Sequence, residues 1–403
     1  MAAAGAFPNW MMLERFVFRR DDPETFPDDK AAPLAVSSAS SQGDPFRVAL
    51  LIAEPPGISR FYVKWPGGLD PEFSPSCDLV TAHGDTIVFK LVCRPVAPVV
   101  IRVKKNGTEI TMPRPFRSEI LGLLRRGEDE FAMAQLQVPG RELCVLRSRL
   151  SNHDHDHKWE VSQNVQIQCG EDESSDLFYW ATDAVIPFGK YLCWVDYSKG
   201  GIVFCDMFEV FEEMPKISYL RLPIEDRPPR SFRRPFLDRK RSVCVAEGVL
   251  KFMNVSRDDG ELLGPMEPGT GFTITSHVLK ISERGNMEWH MDFSIRSVDL
   301  WACNIPERLP RCALMYPVVS MDRPHLLHFL LSEYDENWIE KVSRVTIDIS
   351  TNAVVSVLPY IGQEDQSEED ADMVELRSRF LQSFLPSEFP KFLNGTRKRK
   401  NQA

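Results

Sequence analysis

The length and period of the apolar runs constrain this chain most. From Thr81 onward the runs are short. They either alternate with polar residues or stay apolar for a few positions, and each closes on turn residues such as Gly, Asn, Asp or Pro. Period two puts successive side chains on opposite faces of a strand, whereas a helix needs apolar positions three and four apart over a longer stretch. The sequence therefore predicts a mainly β protein. Asn106-Gly107, between VVIRVKK and TEITM, is the dipeptide that a two-residue hairpin turn favours, because both central residues need positive φ. SEILGLLRR predicts one short helix, and EFAMAQLQV, ELCVLRSRL and WEVSQNVQIQ predict successive strands.

From residue 177 to 223 the segments LFYWA, GKYLCWVDY, GGIVFCDMF and KISYLRLP read as four strands. RCALMYPVVS, HLLHFLLSE, SRVTIDIS and AVVSVLPY repeat the grouping later. In both groups an apolar strand ends in Asp, at Asp206 and Asp348, and the next ends in Leu-Pro. Four antiparallel strands in about 45 residues is the size of one propeller blade. The fold class expected is a large antiparallel multi-sheet architecture, propeller-like by preference, because blades bury their apolar faces against one another.

Three stretches follow from texture. Residues 1–80 carry one strand, LERFVFRR, and a Pro/Gly-rich loop segment that includes PDDKAAPLAVSSASSQGDP. Residues 81–360 form the β-rich core. Residues 361–403 comprise the acidic linker QEDQSEEDAD, a helix in VELRSRFLQSFL and a basic tail. Leu376, Phe380 and Phe384 lie four apart, so that helix is amphipathic, and Pro386 ends it.

The 403 residues are 43% hydrophobic and 26% charged, within the range of globular proteins. The formal net charge of −10 works against non-specific binding to nucleic acid or anionic membrane. No run of about 18 apolar residues occurs, so no membrane-spanning helix is expected. The first residues lack the charged start and apolar run of a secretory signal. The nine cysteines are scattered, mostly inside apolar runs, as for buried thiols in a reducing compartment. The expected location is the cytoplasm and/or the nucleus.

The segments PNWMMLERFVFRRDD, PFRVALLIAEPPGISRFYV, WVDYSKGGIVFCDMF and PKFLNGTRKRK together resemble a plant family expanded in grasses and named only as domain of unknown function 1618. Its signature block spans about 190–330, and its most specific part surrounds Trp194, Asp196, Gly200 and Asp206. The resemblance implies a plant origin and transfers no catalytic residue. Some relatives look like the C-terminal regions of F-box proteins. An F-box helix pattern is missing here, which disfavours a ubiquitin-ligase adaptor role.

Phosphate-cradling, dinucleotide-binding and metalloprotease motifs and the nucleophile elbow are absent from the sequence. No cofactor is expected. His153, His155 and His157 stand at period two and would share one strand face, as metal ligands do, but SNHDHDHK reads as a polar hairpin loop that does not pre-organise them. The loop at 227–242 gathers Arg227, Arg230, Arg233, Arg234, Arg239, Lys240 and Arg241, with Phe232 and Phe236 interleaved. Arginine among aromatics suits phosphate or single-stranded nucleic acid. The overall negative charge disfavours that partner and favours an acidic protein surface. The function expected is a non-enzymatic protein–protein interaction module. The alternatives are a nucleic-acid-associated protein using 227–241 and an enzyme with an unrecognised active site.

Overall fold

The computed structural model describes residues 6–27, 32, 34–39, 43–67, 77–91, 99–105, 108–114, 117–127, 130–147, 159–208, 215–224, 236–262, 264–283, 286–303, 309–335, 338–360 and 383–400. These residues form five sheets of four to seven strands, following one another along the chain, and a separate two-stranded hairpin. The architecture is mainly β, multi-sheet and propeller-like. Two compact units are present, Met1–Arg221 with Leu385–Ala403, and Leu222–Phe384.

In the first unit, β1 (Met11–Arg19), β2 (Leu34–Ala39), β3 (Pro45–Leu51), β4 (Ile58–Lys64), β5 (Cys77–His83) and β6 (Thr86–Leu91) share one sheet in the order β2-β3-β4-β1-β5-β6. β1 is buried on both faces. Met11, Leu13 and Val17 join Val63 and Trp65 on one side, while Phe18 packs with Ala49 and Tyr62 on the other. Most pairings are antiparallel, but β1 and β4 run parallel, with a register shift between Leu13 and Val17. β2 lies inside the stretch that reads as a loop in the sequence. β7 (Val99–Lys105) and β8 (Thr108–Arg114) pair from Lys105↔Thr108 outward, the register that a two-residue Asn-Gly connection requires.

β9 (Leu121–Arg126), β10 (Glu130–Gln137), β11 (Glu142–Arg147) and β12 (Glu160–Gln163) form a meander. The helix expected in SEILGLLRR is not present: Ser118–Ile120 makes one 3₁₀ turn and the remainder is β9. The reason is tertiary. A Cβ on Gly122 would lie 2.6 Å from Val185 Cγ1, so glycine lets this strand sit close to its neighbours. Leu121, Leu123 and Leu124 are all buried, which overrides their helical preference.

The next sheet is ordered β13-β17-β16-β15-β14. Its strands are β13 (Ile167–Gln168), β14 (Ala184–Phe188), β15 (Tyr191–Asp196), β16 (Gly201–Asp206) and β17 (Ile217–Arg221). LFYWA, expected as its first strand, instead ends the short helix α1 (Ser174–Phe178), and AVIPF takes the strand position. Acidic Glu171, Asp172 and Glu173 lead into this helix, and the Glu173 side chain accepts the Gly170 backbone N–H at 2.7 Å. That is start-of-helix chemistry. Leu124, Leu136 and Val145 share a core with Leu192, Trp194 and Tyr219, joining this sheet to the meander.

In the second unit, β18 (Arg241–Ala246), β19 (Val249–Arg257), β20 (Phe272–Ile281) and β21 (Met287–Arg296) form one meander, followed by α2 (Ser297–Cys303). β22 (Leu314–Val319), β23 (Leu326–Asp335), β24 (Trp338–Asp348) and β25 (Ala353–Pro359) form another, in the four segments the sequence marks out. Val255, Phe272 and Ile274 meet Leu314, Phe329 and Val345 in their common core. The chain then returns to the first unit. β26 (Leu385–Ser387) pairs antiparallel with β1, and α3 (Phe389–Lys400) follows. The amphipathic helix expected near 374–385 falls largely outside the described residues, and α3 occupies the basic tail beyond it.

Candidate functional site

The four signature residues converge on the β15–β16 hairpin and its neighbours. Both strands are almost wholly buried, and in the turn between them only Ser198 and Lys199 are half-exposed. Asp196 ends β15 and is itself buried. Its Oδ1 accepts the backbone N–H groups of Ser198 and Lys199, each at 2.8 Å, and its Oδ2 accepts that of Ala181 at 2.6 Å. A carboxylate so placed satisfies three donors that would otherwise be unpaired. Gly200 closes the turn at φ +69°, donating to the Asp196 carbonyl at 2.9 Å. Trp194 is fully buried, and its indole N–H donates to the Ile120 carbonyl at 2.8 Å, tying the hairpin to the preceding meander. Asp206 ends β16 and pairs with Lys190 at 2.6 Å. This contact holds the Lys190 ammonium above its ordinary pKa.

Two further residues belong to this construction and carried no signal as a site in the sequence. Gly201 lies so close to Tyr219 that a Cβ there would stand 2.3 Å from the ring. Asp183 accepts the Tyr197 N–H at 2.7 Å and donates its own N–H to the Val195 carbonyl at 2.7 Å. Together with Asp196 it clamps the chain that leaves α1 onto the signature turn.

That clamp presents Phe178 and Tyr179, which are 70% and 66% exposed. Their rings meet edge to face at 4.9 Å, and the Lys199 ammonium of the signature turn lies 5.4 Å from the Tyr179 centroid. Trp180, next in sequence, points inward and is buried, its indole donating to Thr182 Oγ1 at 3.0 Å. Asp172, Glu173 and Asp176 border the helix and share Arg221 at 3.3, 3.9 and 3.6 Å. The visible signal was the triplet Phe178-Tyr179-Trp180, three aromatics in a row after an acidic run, which no single sheet face can bury.

The basic loop is only partly within the described residues; Arg227, Arg230, Arg233 and Arg234 lie outside them. Of the others, Arg241 is buried and donates to Asn254 Oδ1 at 3.2 Å. Arg239 stacks on Phe236 at 5.3 Å and hydrogen-bonds Tyr316, whose phenol burial holds well above its ordinary pKa. Lys240 forms the turn that leads into β18. His153, His155 and His157 also lie outside the described residues, among which no group of three or more metal-ligating side chains occurs. His328, inside β23, is a core residue, bonded to Thr346 Oγ1 at 3.0 Å.

The second unit contains a cleft of about 490 Å³ between the start of β20, the end of β21 and α2. Phe272, Ser297 and Trp301 line it, with Arg296, Arg311 and Asp258 at its polar margin. No helix among the described residues is long and apolar enough to cross a membrane.

Comparison with curated proteins gives no match. Among solved structures, apo AztD from Citrobacter koseri is similar at 12% identity over 82% of this chain and 75% of that one. The TM-score of 0.23 is too low to support any statement about fold or role. Residues 194–328, from Trp194 of the signature hairpin to His328 of β23, match the family described as Protein of unknown function (DUF1618), and the chain carries that domain.

Proposed function

We propose that the protein is a non-enzymatic protein-binding module of the cytoplasm or nucleus, and that the turn of the signature hairpin, with Phe178 and Tyr179 beside it, forms its recognition surface. The observation that carries this reading is the exposure of two adjacent aromatic rings on backbone clamped by the buried Asp196. Large aromatics that are exposed yet held rigid have the character of interface anchors, because burying them against a partner loses little conformational entropy. Several shifted titratable groups support a non-catalytic reading: Cys193, Cys244, Tyr316 and His328 are buried within sheets, each shifted chiefly by burial. Nucleic acid is the weaker alternative, since Arg239 and Arg241 are engaged within their own unit and the chain's formal charge is −10.

Quantitative affinity purification from a cell lysate tests the reading, with wild type compared against the double variant Phe178→Ser/Tyr179→Ser. The partners that resist high salt on wild type should be depleted on the variant while its circular dichroism is unchanged. Equal recovery of every partner by the two proteins would reject this surface.

A further inference from the structure

The cleft of the second unit has hydrogen-bond donors without acceptors. Arg311 lies over Trp301, its guanidinium carbon 5.1 Å from the ring centroid, and has no ion pair among the described residues. The ring beneath it is fixed edge to face against buried Phe272 at 5.8 Å. Stacking on an indole orients a guanidinium while leaving its N–H fork free.

Ser297 supplies a second donor. It is 3% exposed and lines the cleft, and its Oγ accepts the Phe272 N–H at 3.0 Å. That leaves the hydroxyl proton with no acceptor among the described residues. The approach depends on Gly271, where a Cβ would stand 2.4 Å from the same Oγ. The Trp301 indole N–H likewise finds no acceptor. Buried donors normally have partners, so the Ser297 hydroxyl and the Trp301 indole beside a cavity point to an acceptor from outside the chain, to which Arg311, exposed at the margin, adds a charged donor.

Two acids set the charge of that acceptor. Asp299 engages Arg296 at 3.3 Å, and the Asp258 carboxylate accepts the Gly271 N–H at 3.0 Å. With Arg296 matched by Asp299, the remaining charged groups lining the cleft are Arg311 and Asp258, and beside Asp258 a dianion would meet repulsion that a monoanion largely avoids. Around 490 Å³ is within the range of small-ligand sites, and Phe272 and Val298 provide apolar wall.

We propose that this cleft binds a carboxylate group attached to a small apolar body, with the Arg311 fork and the Ser297 hydroxyl donating to its oxygens. The group is either a free carboxylic acid or a glutamate side chain of a partner. This proposal is independent of the aromatic surface on the other unit.

Ligand-observed saturation-transfer NMR on the full-length protein tests it, with benzoate, a blocked Ala-Glu-Ala peptide, neutral benzamide and inorganic phosphate as probes. Benzoate or the glutamyl peptide should bind and benzamide should not; whichever of the two binds identifies the source. Arg311→Gln should weaken binding by about tenfold or more, the loss of one charge-assisted contact. Arg311→Lys, which keeps charge without the fork, should fall between, and Lys280→Gln on exposed β20 surface should bind as wild type. Failure of both carboxylates to bind, equal binding by Arg311→Gln, or preferential binding of phosphate or benzamide would overturn the proposal.

Discussion

Asp196 shows how a single carboxylate sets local geometry, and its loss should be costly out of proportion to its size. In Asp196→Asn one oxygen becomes an NH₂ group that can only face backbone N–H donors, so at least one donor is left unsatisfied in a buried site. We expect a loss of about 2 to 3 kcal/mol, read from urea unfolding. Asp206→Asn, whose main partner is the exposed Lys190, should cost less than about 1 kcal/mol. Two other residues give acid unfolding a shape. Burial, with a smaller contribution from Arg323 opposed by Asp322, lowers the His328 pKa from 6.5 to about 4. Between those values the unfolded chain binds a proton that the folded chain does not, so stability falls as pH drops, by up to about 3 kcal/mol over the window. His328→Gln should flatten that limb in a series of urea midpoints against pH. At lower pH the Arg257 hydrogen bond holds Asp259 down to about 2 from 3.8, and the stability this contact gives is lost as pH falls through that range. A wild-type profile that is level from pH 6.5 to 4 would contradict the placement of His328 in the core.

At the scale of elements, β26 covers the edge of β1 at Met11–Leu13 and α3 adds buried Phe389 to the same core. Removing residues 385–403 should therefore uncover strand edge and apolar surface together, and light scattering should report association of the truncated protein at concentrations where the full chain is monodisperse. An unchanged scattering profile and melting temperature would show that the β26 pairing contributes nothing. The legibility of these elements in the sequence follows a physical division. β22 to β25 were readable because each apolar run is of strand length and closes on its own turn residues. SEILGLLRR was misread because helix preference is local, whereas the need for Gly122 beside Val185 is set by a strand more than 60 residues away. LFYWA was misread because its aromatics split between exposure at Phe178 and Tyr179 and burial at Trp180. β2 is mostly half-buried or exposed and begins just after Pro33, so its composition is that of a loop and only pairing with β3 makes it a strand. For the candidate site, the resemblance pointed to Trp194, Asp196, Gly200 and Asp206, while the surface they support left only the aromatic triplet Phe178-Tyr179-Trp180 as its signal. The cleft was silent, since Arg311, Ser297 and Gly271 come from segments that meet only in the fold.

At the scale of the whole molecule, each unit has a core of its own: Leu192, Trp194 and Val203 in one, Phe272, Phe329 and Val345 in the other. Amide exchange should accordingly show the slowest protection in two separate sets, at β15–β16 and at β23–β24, since exchange from the centre of a core requires its cooperative opening. A single slow set confined to one unit would mean that the other opens by itself at much lower cost. The first and last strands share a sheet, and Asn394 bonds the backbone of Phe7 in both directions, at 2.9 and 3.1 Å. On the ribosome, then, β1 is made about 370 residues before the strand that pairs with it. At about 5 to 20 residues per second that interval is roughly 20 to 75 s, during which Met11, Met12 and Leu13 lack the strand that finally covers their edge. Translation speed and chaperone supply then bear on how much of this chain reaches its native state.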